Sequence, residues 1–125
     1  MWGMPRFVLL RHELPTTLSR RSHWDFMLEV DGVLRTWALE AIPSRDTVTH
    51  ARSLPDHRMD YLHYEGAVSA NRGRVWRWDA GQYECLGDLD NLCVVRLKGR
   101  RLHGALTLNR TDPDGQRWVV SIEGP

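Results

Sequence analysis

The segment HWDFMLEVDGVLRTWAL, residues 23–39, is the feature of this sequence that most constrains its fold. Apolar and polar residues alternate on both sides of the pair Asp31-Gly32. Alternation with a period of two is typical of a strand with one buried face, and Asp-Gly between two such runs is typical of a tight hairpin turn. The segment therefore predicts two antiparallel strands, with Trp24, Phe26, Leu28 and Val30 on the core face of the first one.

Further strand-like runs lie before and after this hairpin at near-regular spacing, separated by turns rich in Gly, Pro, Asn and Asp. Residues 47–54, TVTHARSL, are the exception, and we expect them to form about two helical turns that end at Pro55. Residues 43–66 are then the longest region outside strands. The pattern predicts a mainly β protein, a small antiparallel β-barrel with a short helix and loops on its exterior.

Composition narrows the class of protein. The 125 residues are 42% hydrophobic and carry a formal net charge of +1, so we expect one globular domain, 1–125, without a strong overall electrostatic field. No apolar run reaches the length of a membrane span, and the first residues do not resemble a signal peptide. Cys85 and Cys93 lie in apolar runs without metal or redox spacing, which predicts buried free thiols and a cytoplasmic protein with no membrane partner.

The polar face of the strand that begins at His23 carries a candidate metal site. His23 and Asp25 are two residues apart, so they project from the same surface of a strand. His12 ends the preceding predicted strand and would lie beside them if the two strands pair antiparallel. Two imidazoles and one carboxylate suit Mn²⁺, Fe²⁺ or Zn²⁺ and leave positions for water and substrate. On spacing alone, the commoner explanation of His-x-Asp is a solvated structural pair.

A second group of polar and aromatic residues lies in LPDHRMDYLHYEG, residues 54–66. His57 and Tyr61 are four residues apart and would share a face if this segment is helical. Beside a metal, they could orient or protonate a phosphate oxygen. The alternative is structural, with Tyr61 and Tyr64 packing over the barrel end while His57 caps a turn.

Four motifs occur in a specific order along the chain: a His after the first apolar strand, HWDFMLEVDGVLRTWAL, DHRMDYLHYEG and GRVWRWDAGQYE. In this order they resemble the 3′-phosphoesterase module of bacterial DNA ligase D, from about Phe7 to Ile122. The resemblance implies a β-barrel with a crescent-shaped groove and a Mn²⁺-dependent 3′-phosphodiesterase and 3′-phosphomonoesterase. Such an enzyme removes a 3′-terminal ribonucleotide and then the remaining 3′-phosphate from DNA.

The resemblance also implies roles for individual residues. His12, His23 and Asp25 would be the ligands of Mn²⁺, or of Zn²⁺ or another divalent transition metal. His57 would be catalytic and contact the scissile phosphate, with Tyr61 next to it.

The chain departs from the family at the phosphate-binding positions. Met27 stands where the family has an Arg two residues after the metal-binding Asp, and we expect it on the polar face of its strand, beside the barrel rim. Ala41 or Glu40 stands where the family has a phosphate-contacting Lys. The interval between the first two histidines is also longer than in the family. The candidate replacements for the missing cations are Arg20, Arg21, Arg52 and Arg58, of which we assign phosphate binding to Arg52 and Arg58.

Two functions follow from these observations. The first is a metal-dependent phosphoesterase that acts on nucleic-acid 3′ ends or a related phosphate ester. The alternative is a non-catalytic nucleic-acid-binding or scaffold barrel that has lost turnover with its phosphate-binding cations. The sequence contains no polymerase or ligase segment, so we expect any ligase or polymerase partner to be a separate protein.

Overall fold

A computed structural model describes residues 3–18, 21–113 and 115–124. These residues form nine strands and one short 3₁₀-helix, Met59–Leu62. The strands are β1 (Arg6–Glu13), β2 (His23–Val30), β3 (Val33–Leu39), β4 (Thr49–His57), β5 (Gly66–Ala67), β6 (Arg74–Leu89), β7 (Leu92–Gly99), β8 (His103–Arg110) and β9 (Arg117–Glu123).

The strands close into an antiparallel barrel, as the sequence predicted. Their order is β1-β2-β3-β4-β9-β8-β7-β6, and β6 pairs back with β1. The short strand β5 adds to the beginning of β6. Closure pairs the strand edges that an open sheet of this size would leave exposed.

The hairpin between β2 and β3 forms as expected. Val30 pairs with Val33, and the two residues between them have positive φ, 51° at Asp31 and 83° at Gly32. Both central residues of a type I′ turn require this left-handed region, which Asp and Gly tolerate better than other residues.

The helix predicted for residues 47–54 is wrong, because most of this segment belongs to β4. Ala51 is buried, opposite Leu39 of β3 on one side and Trp118 of β9 on the other. A helix here would leave one edge of β3 and one edge of β9 unpaired and the barrel open. The pairing of neighbouring strands therefore overrides a weak local preference. As a result His57 lies on a strand, and the helix of the described structure is the 3₁₀ turn that follows.

The main core fills the barrel interior. Phe26, Trp37 and Leu39 are no more than 1% exposed. The ring of Trp37 packs edge-on against that of Trp118, with centroids 5.7 Å apart. Of the four residues assigned to the core face of β2, Phe26 and Leu28 are buried, Trp24 is half-buried against the core, and Val30 at the turn is 37% exposed.

A second apolar cluster lies on the outer face of β1 and β2. It comprises Val8, Leu10, Met27, Leu34, Leu62, Val68 and Val75. Both faces of β1 are thus covered, because Phe7 and Leu9 point inward while Val8 and Leu10 point outward. Met27 is 1% exposed in this apolar cluster, so its expected position on a polar face is wrong. The 3₁₀-helix contributes Leu62 and covers part of the same face.

Two further expectations concern the thiols and the membrane. Cys93 is buried as predicted, and burial raises the pKa of its thiol to about 11. Cys85, also predicted to be buried, is exposed on β6. Across the part of the chain that the structure describes, no helix has the length and apolar character needed to cross a membrane.

Candidate metal centre

The three predicted ligands lie together on the outer face of β1 and β2. His12, near the end of β1, is directly opposite His23, the first residue of β2, as the predicted antiparallel pairing requires. Their rings lie 4.8 Å apart between centroids. Asp25 follows His23 by two residues and projects from the same face.

The contacts within this triad, His12, His23 and Asp25, are short. Asp25 Oδ2 is 3.0 Å from Nδ1 of His12, and Asp25 Oδ1 is 2.8 Å from Nε2 of His23. One ligand atom from each residue can be chosen so that all three lie within 4.8 Å of one another. Asp25 is 3% exposed and His23 is 8% exposed, so water solvates the carboxylate poorly.

Each imidazole is also held from behind by a backbone carbonyl. Nε2 of His12 lies 2.7 Å from the carbonyl oxygen of Arg72, and Nδ1 of His23 lies 3.0 Å from that of Arg21. A carbonyl oxygen only accepts hydrogen bonds, so these ring nitrogens carry the protons. In each neutral ring, the nitrogen that faces Asp25 therefore presents a lone pair. Histidines that bind metals are commonly oriented by such outer contacts.

This arrangement fits a divalent transition metal. Nε2 of His23 and Oδ1 of Asp25 are buried and close together, yet neither has a hydrogen-bond partner among the described residues. Two buried acceptors in contact repel each other unless a proton or a cation lies between them. Two imidazole nitrogens and one carboxylate oxygen are ligands that Mn²⁺, Fe²⁺ and Zn²⁺ accept.

The charge of the carboxylate favours the same conclusion. Burial by itself raises the pKa of Asp25, but when the rings of His12 and His23 are protonated, their hydrogen bonds and positive charge outweigh burial and lower the pKa to about 2. Asp25 is consequently anionic near neutral pH. A buried anion requires a compensating positive charge, which protonated rings or a bound metal can supply.

The triad forms one wall of a groove of about 420 Å³. A second part of the lining, the second wall, comes from the end of β4 and the 3₁₀-helix, and residues near β5 and the start of β6 complete the lining. The lining residues are His12, His23, Asp25, Leu54, Pro55, Asp56, His57, Arg58, Tyr61, Val68, Arg72 and Val75.

His57 and Tyr61 share this groove with the triad, although one helix does not carry both. His57 ends β4, whereas Tyr61 belongs to the 3₁₀-helix. Their rings meet edge to face with centroids 5.5 Å apart. Nδ1 of His57 lies 2.9 Å from the carbonyl oxygen of Pro55, so this nitrogen donates and Nε2 remains for other partners.

The candidate phosphate-binding arginines differ in position. Arg58 lines the groove, whereas Arg52 is exposed on β4 opposite Ala38 and does not border it. Arg20 lies outside the described residues. Arg72, which sequence reasoning missed, also lines the groove, and its guanidinium binds the backbone and side-chain oxygens of Ser69. No local sequence signal connects Arg72 with His12, sixty residues earlier.

Comparison with known proteins agrees with these structural features. A family model described as the DNA Ligase D 3′-phosphoesterase domain matches residues 16–110. That match includes His23, Asp25, His57 and Tyr61 and begins after His12, so the role suggested for His12 depends on its cross-strand position.

Relatives match over a longer part of the chain. The multifunctional non-homologous end joining DNA repair protein LigD of Mycobacterium tuberculosis is 36% identical over 123 residues, which cover 91% of this chain. The multifunctional non-homologous end joining protein LigD of Pseudomonas aeruginosa is 31% identical over 130 residues, which cover 94% of this chain. This chain spans 15% of the length of each of these relatives. With the barrel and the groove, these matches show that the chain belongs to the DNA ligase D 3′-phosphoesterase domain family.

Proposed function

We propose that this chain is a metal-dependent phosphoesterase that acts as one domain on the 3′ ends of DNA. It would remove a 3′-terminal ribonucleotide and the 3′-phosphate left behind. The observation that carries the proposal is the shared groove, which is lined by the His-His-Asp triad and also by a histidine, a tyrosine and an arginine. Hydrolysis of a phosphate ester needs charge neutralisation on one side and a proton donor on the other.

His12, His23 and Asp25 would hold the metal. A bound divalent ion neutralises phosphate charge and lowers the pKa of a coordinated water. The triad accepts several transition metals, and Mn²⁺ is our first choice because of the family resemblance, ahead of Zn²⁺ and Fe²⁺. The carbonyls of Arg21 and Arg72 keep the two rings oriented before a metal arrives.

His57 is suited to protonate the leaving group. Its Nδ1 proton is committed to the carbonyl of Pro55, so Nε2 is the atom that exchanges a proton with the substrate. Water adds to phosphorus, the bond between phosphorus and the departing oxygen breaks, and protonated His57 supplies the proton of the new hydroxyl group. Tyr61 restrains the imidazole by its edge-to-face contact, and Arg58 adds positive charge to the same wall.

A second candidate function has its own supporting observation. Met27 is buried in an apolar cluster, and the backbone N–H of Ala41 donates to Oγ1 of Thr49, so neither position offers a cation to the groove. A barrel without those cations could bind DNA ends without cleaving them. In that case the chain is a nucleic-acid-binding or scaffold barrel.

The partners follow from the relatives. Both are named for non-homologous end joining, and this chain spans a small part of each. We propose that it prepares 3′ ends for a ligase or polymerase. We also propose that it acts in the cytoplasm, where DNA and reduced thiols such as Cys85 and Cys93 coexist.

The decisive experiment supplies purified protein and Mn²⁺ with primer-templates that end in a 3′-ribonucleotide or a 3′-phosphate. The phosphoesterase proposal predicts release of nucleoside or inorganic phosphate, strongly reduced in His57→Ala. The matched control is His63→Ala, an exposed histidine outside the groove, which should leave the rate unchanged. Tight DNA binding without turnover for any tested divalent metal would favour the scaffold instead.

A further inference from the structure

The turn between β5 and β6 reaches across the fold to the metal site. The backbone N–H of Val68 donates to the carbonyl of Gly73 at 2.8 Å and closes this turn. The residue just before Gly73 presents its carbonyl oxygen to Nε2 of His12 at 2.7 Å. Main-chain atoms of Arg72 therefore contact a proposed metal ligand on another strand.

The backbone of this turn has a demanding conformation. Ala70, Asn71 and Gly73 have φ values of 59°, 55° and 82°. Three left-handed residues within four positions are unusual, because this region is disfavoured for residues with a Cβ. The direction of the Arg72 carbonyl is thus set by a specific backbone geometry.

Gly73 also approaches another strand more closely than any other residue type could. A Cβ at this position would overlap the carbonyl oxygen of Glu13 and lie 2.8 Å from its carbonyl carbon. Glu13 is the neighbour of His12 on β1 and pairs with Arg74. The absence of a side chain at Gly73 is therefore what allows the turn to sit against the end of β1.

The contact has a chemical consequence for His12. The carbonyl of Arg72 stabilises the ring form that carries its proton on Nε2. In a neutral ring of this form Nδ1, which lies 3.0 Å from Oδ2 of Asp25, has the lone pair that a metal requires. If the carbonyl moved away, Nδ1–H could donate to the carboxylate and the ring would lose that lone pair.

We infer that the β5–β6 turn, fixed by Gly73, is a positioning element that holds His12 in its metal-binding tautomer through the main-chain carbonyl of Arg72. This inference rests on the metal site of the proposed function. It adds a role for residues 70–73 that neither their side-chain chemistry nor their place in the sequence indicates.

The test compares two glycines. Gly73→Ala and Gly32→Ala both place a Cβ at a φ near 83°, but the Cβ at position 32 meets nothing within 4 Å. Both variants carry similar backbone strain, and only Gly73→Ala should displace the turn from Glu13. We expect Gly73→Ala to weaken Mn²⁺ binding in calorimetry by about tenfold to a hundredfold, the usual effect of removing an outer partner of a metal ligand. Gly32→Ala should bind as the wild type does.

Nitrogen-15 NMR of the His12 ring in metal-free protein supplies a second readout. We expect a proton on Nε2 in the wild type and a loss of this preference in Gly73→Ala. An unprotonated Nε2 in the wild type overturns the inference, even if Gly73→Ala does not fold. Unchanged affinity and tautomer in a folded Gly73→Ala overturn it as well. If the wild type binds no divalent metal, the proposed function fails, whereas the tautomer still tests the positioning role.

Discussion

The two walls of the groove differ in how firmly their residues are held. On the triad wall, Asp25 and His23 are 3% and 8% exposed. On the other wall, His57 and Tyr61 are half-buried and Arg58 is exposed. The triad wall stands on two fully paired strands, whereas the other wall comes from a strand end and a single helical turn.

This difference indicates that the two walls have different roles, metal binding on one and substrate contact on the other. A metal site benefits from ligands that are ordered in advance, since ordering them on binding would cost affinity. A wall that contacts substrate gains from side chains that adjust as the substrate enters and leaves. Substitutions in the triad wall should therefore change metal affinity, whereas substitutions in the second wall should change turnover or KM and leave metal affinity unchanged.

The largest effect is expected for Asp25→Asn. This substitution removes the only formal negative charge of the triad and should weaken Mn²⁺ binding by more than the roughly hundredfold loss typical of an outer partner. Calorimetric titration measures the change. The control is Glu29→Gln on the same strand, whose carboxylate pairs with Arg6 at 2.8 Å and should not affect metal affinity. Equal affinity in both variants would contradict the triad as the binding site.

His57→Ala should separate the two walls most clearly. We expect its turnover number on a 3′-phosphate substrate to fall by about 10²–10⁴, the usual contribution of a general acid. Its Mn²⁺ affinity should stay within about twofold of the wild type, because His57 belongs to the second wall and not to the triad. Parallel loss of metal affinity and turnover would mean that the walls are not independent.

Met27→Arg tests the apolar cluster beside the groove. A guanidinium at a position that is 1% exposed loses its hydration, so we expect the free energy of unfolding to fall by on the order of 3 kcal/mol. Urea denaturation measures this loss, and Met27→Leu, with similar volume, should lose less than about 1.5 kcal/mol. If Met27→Arg is as stable as Met27→Leu and cleaves a 3′-phosphate substrate faster than the wild type does, this position can serve phosphate binding.

The smallest effect is expected for Arg58 of the second wall. Arg58→Ala should raise KM for a 3′-phosphate substrate about tenfold, because one charge-assisted contact is lost. Arg52→Ala, outside the groove, should change KM by less than about twofold. Steady-state kinetics at low ionic strength would show this difference in KM. Equal effects of the two substitutions would mean that the substrate also contacts Arg52.

The sequence predicted the barrel and the triad because both depend on neighbouring strands. Alternation and the Asp31-Gly32 turn determine the β2–β3 hairpin, and antiparallel pairing of β1 with β2 then places His12 opposite His23. The strand β4 was missed because its pairing with β9 joins segments far apart in sequence. The same separation hid the contact of Arg72 with His12 and the burial of Met27 under the 3₁₀-helix.

The most direct test of the two-wall groove is a crystal structure with Mn²⁺ and inorganic phosphate, read from anomalous diffraction at the manganese edge. We expect one manganese peak, bound by Nδ1 of His12, Nε2 of His23 and a carboxylate oxygen of Asp25, with phosphate between the ion and His57. Manganese at another position, or a groove whose two histidines remain paired to Asp25 without metal at saturating Mn²⁺, would contradict it.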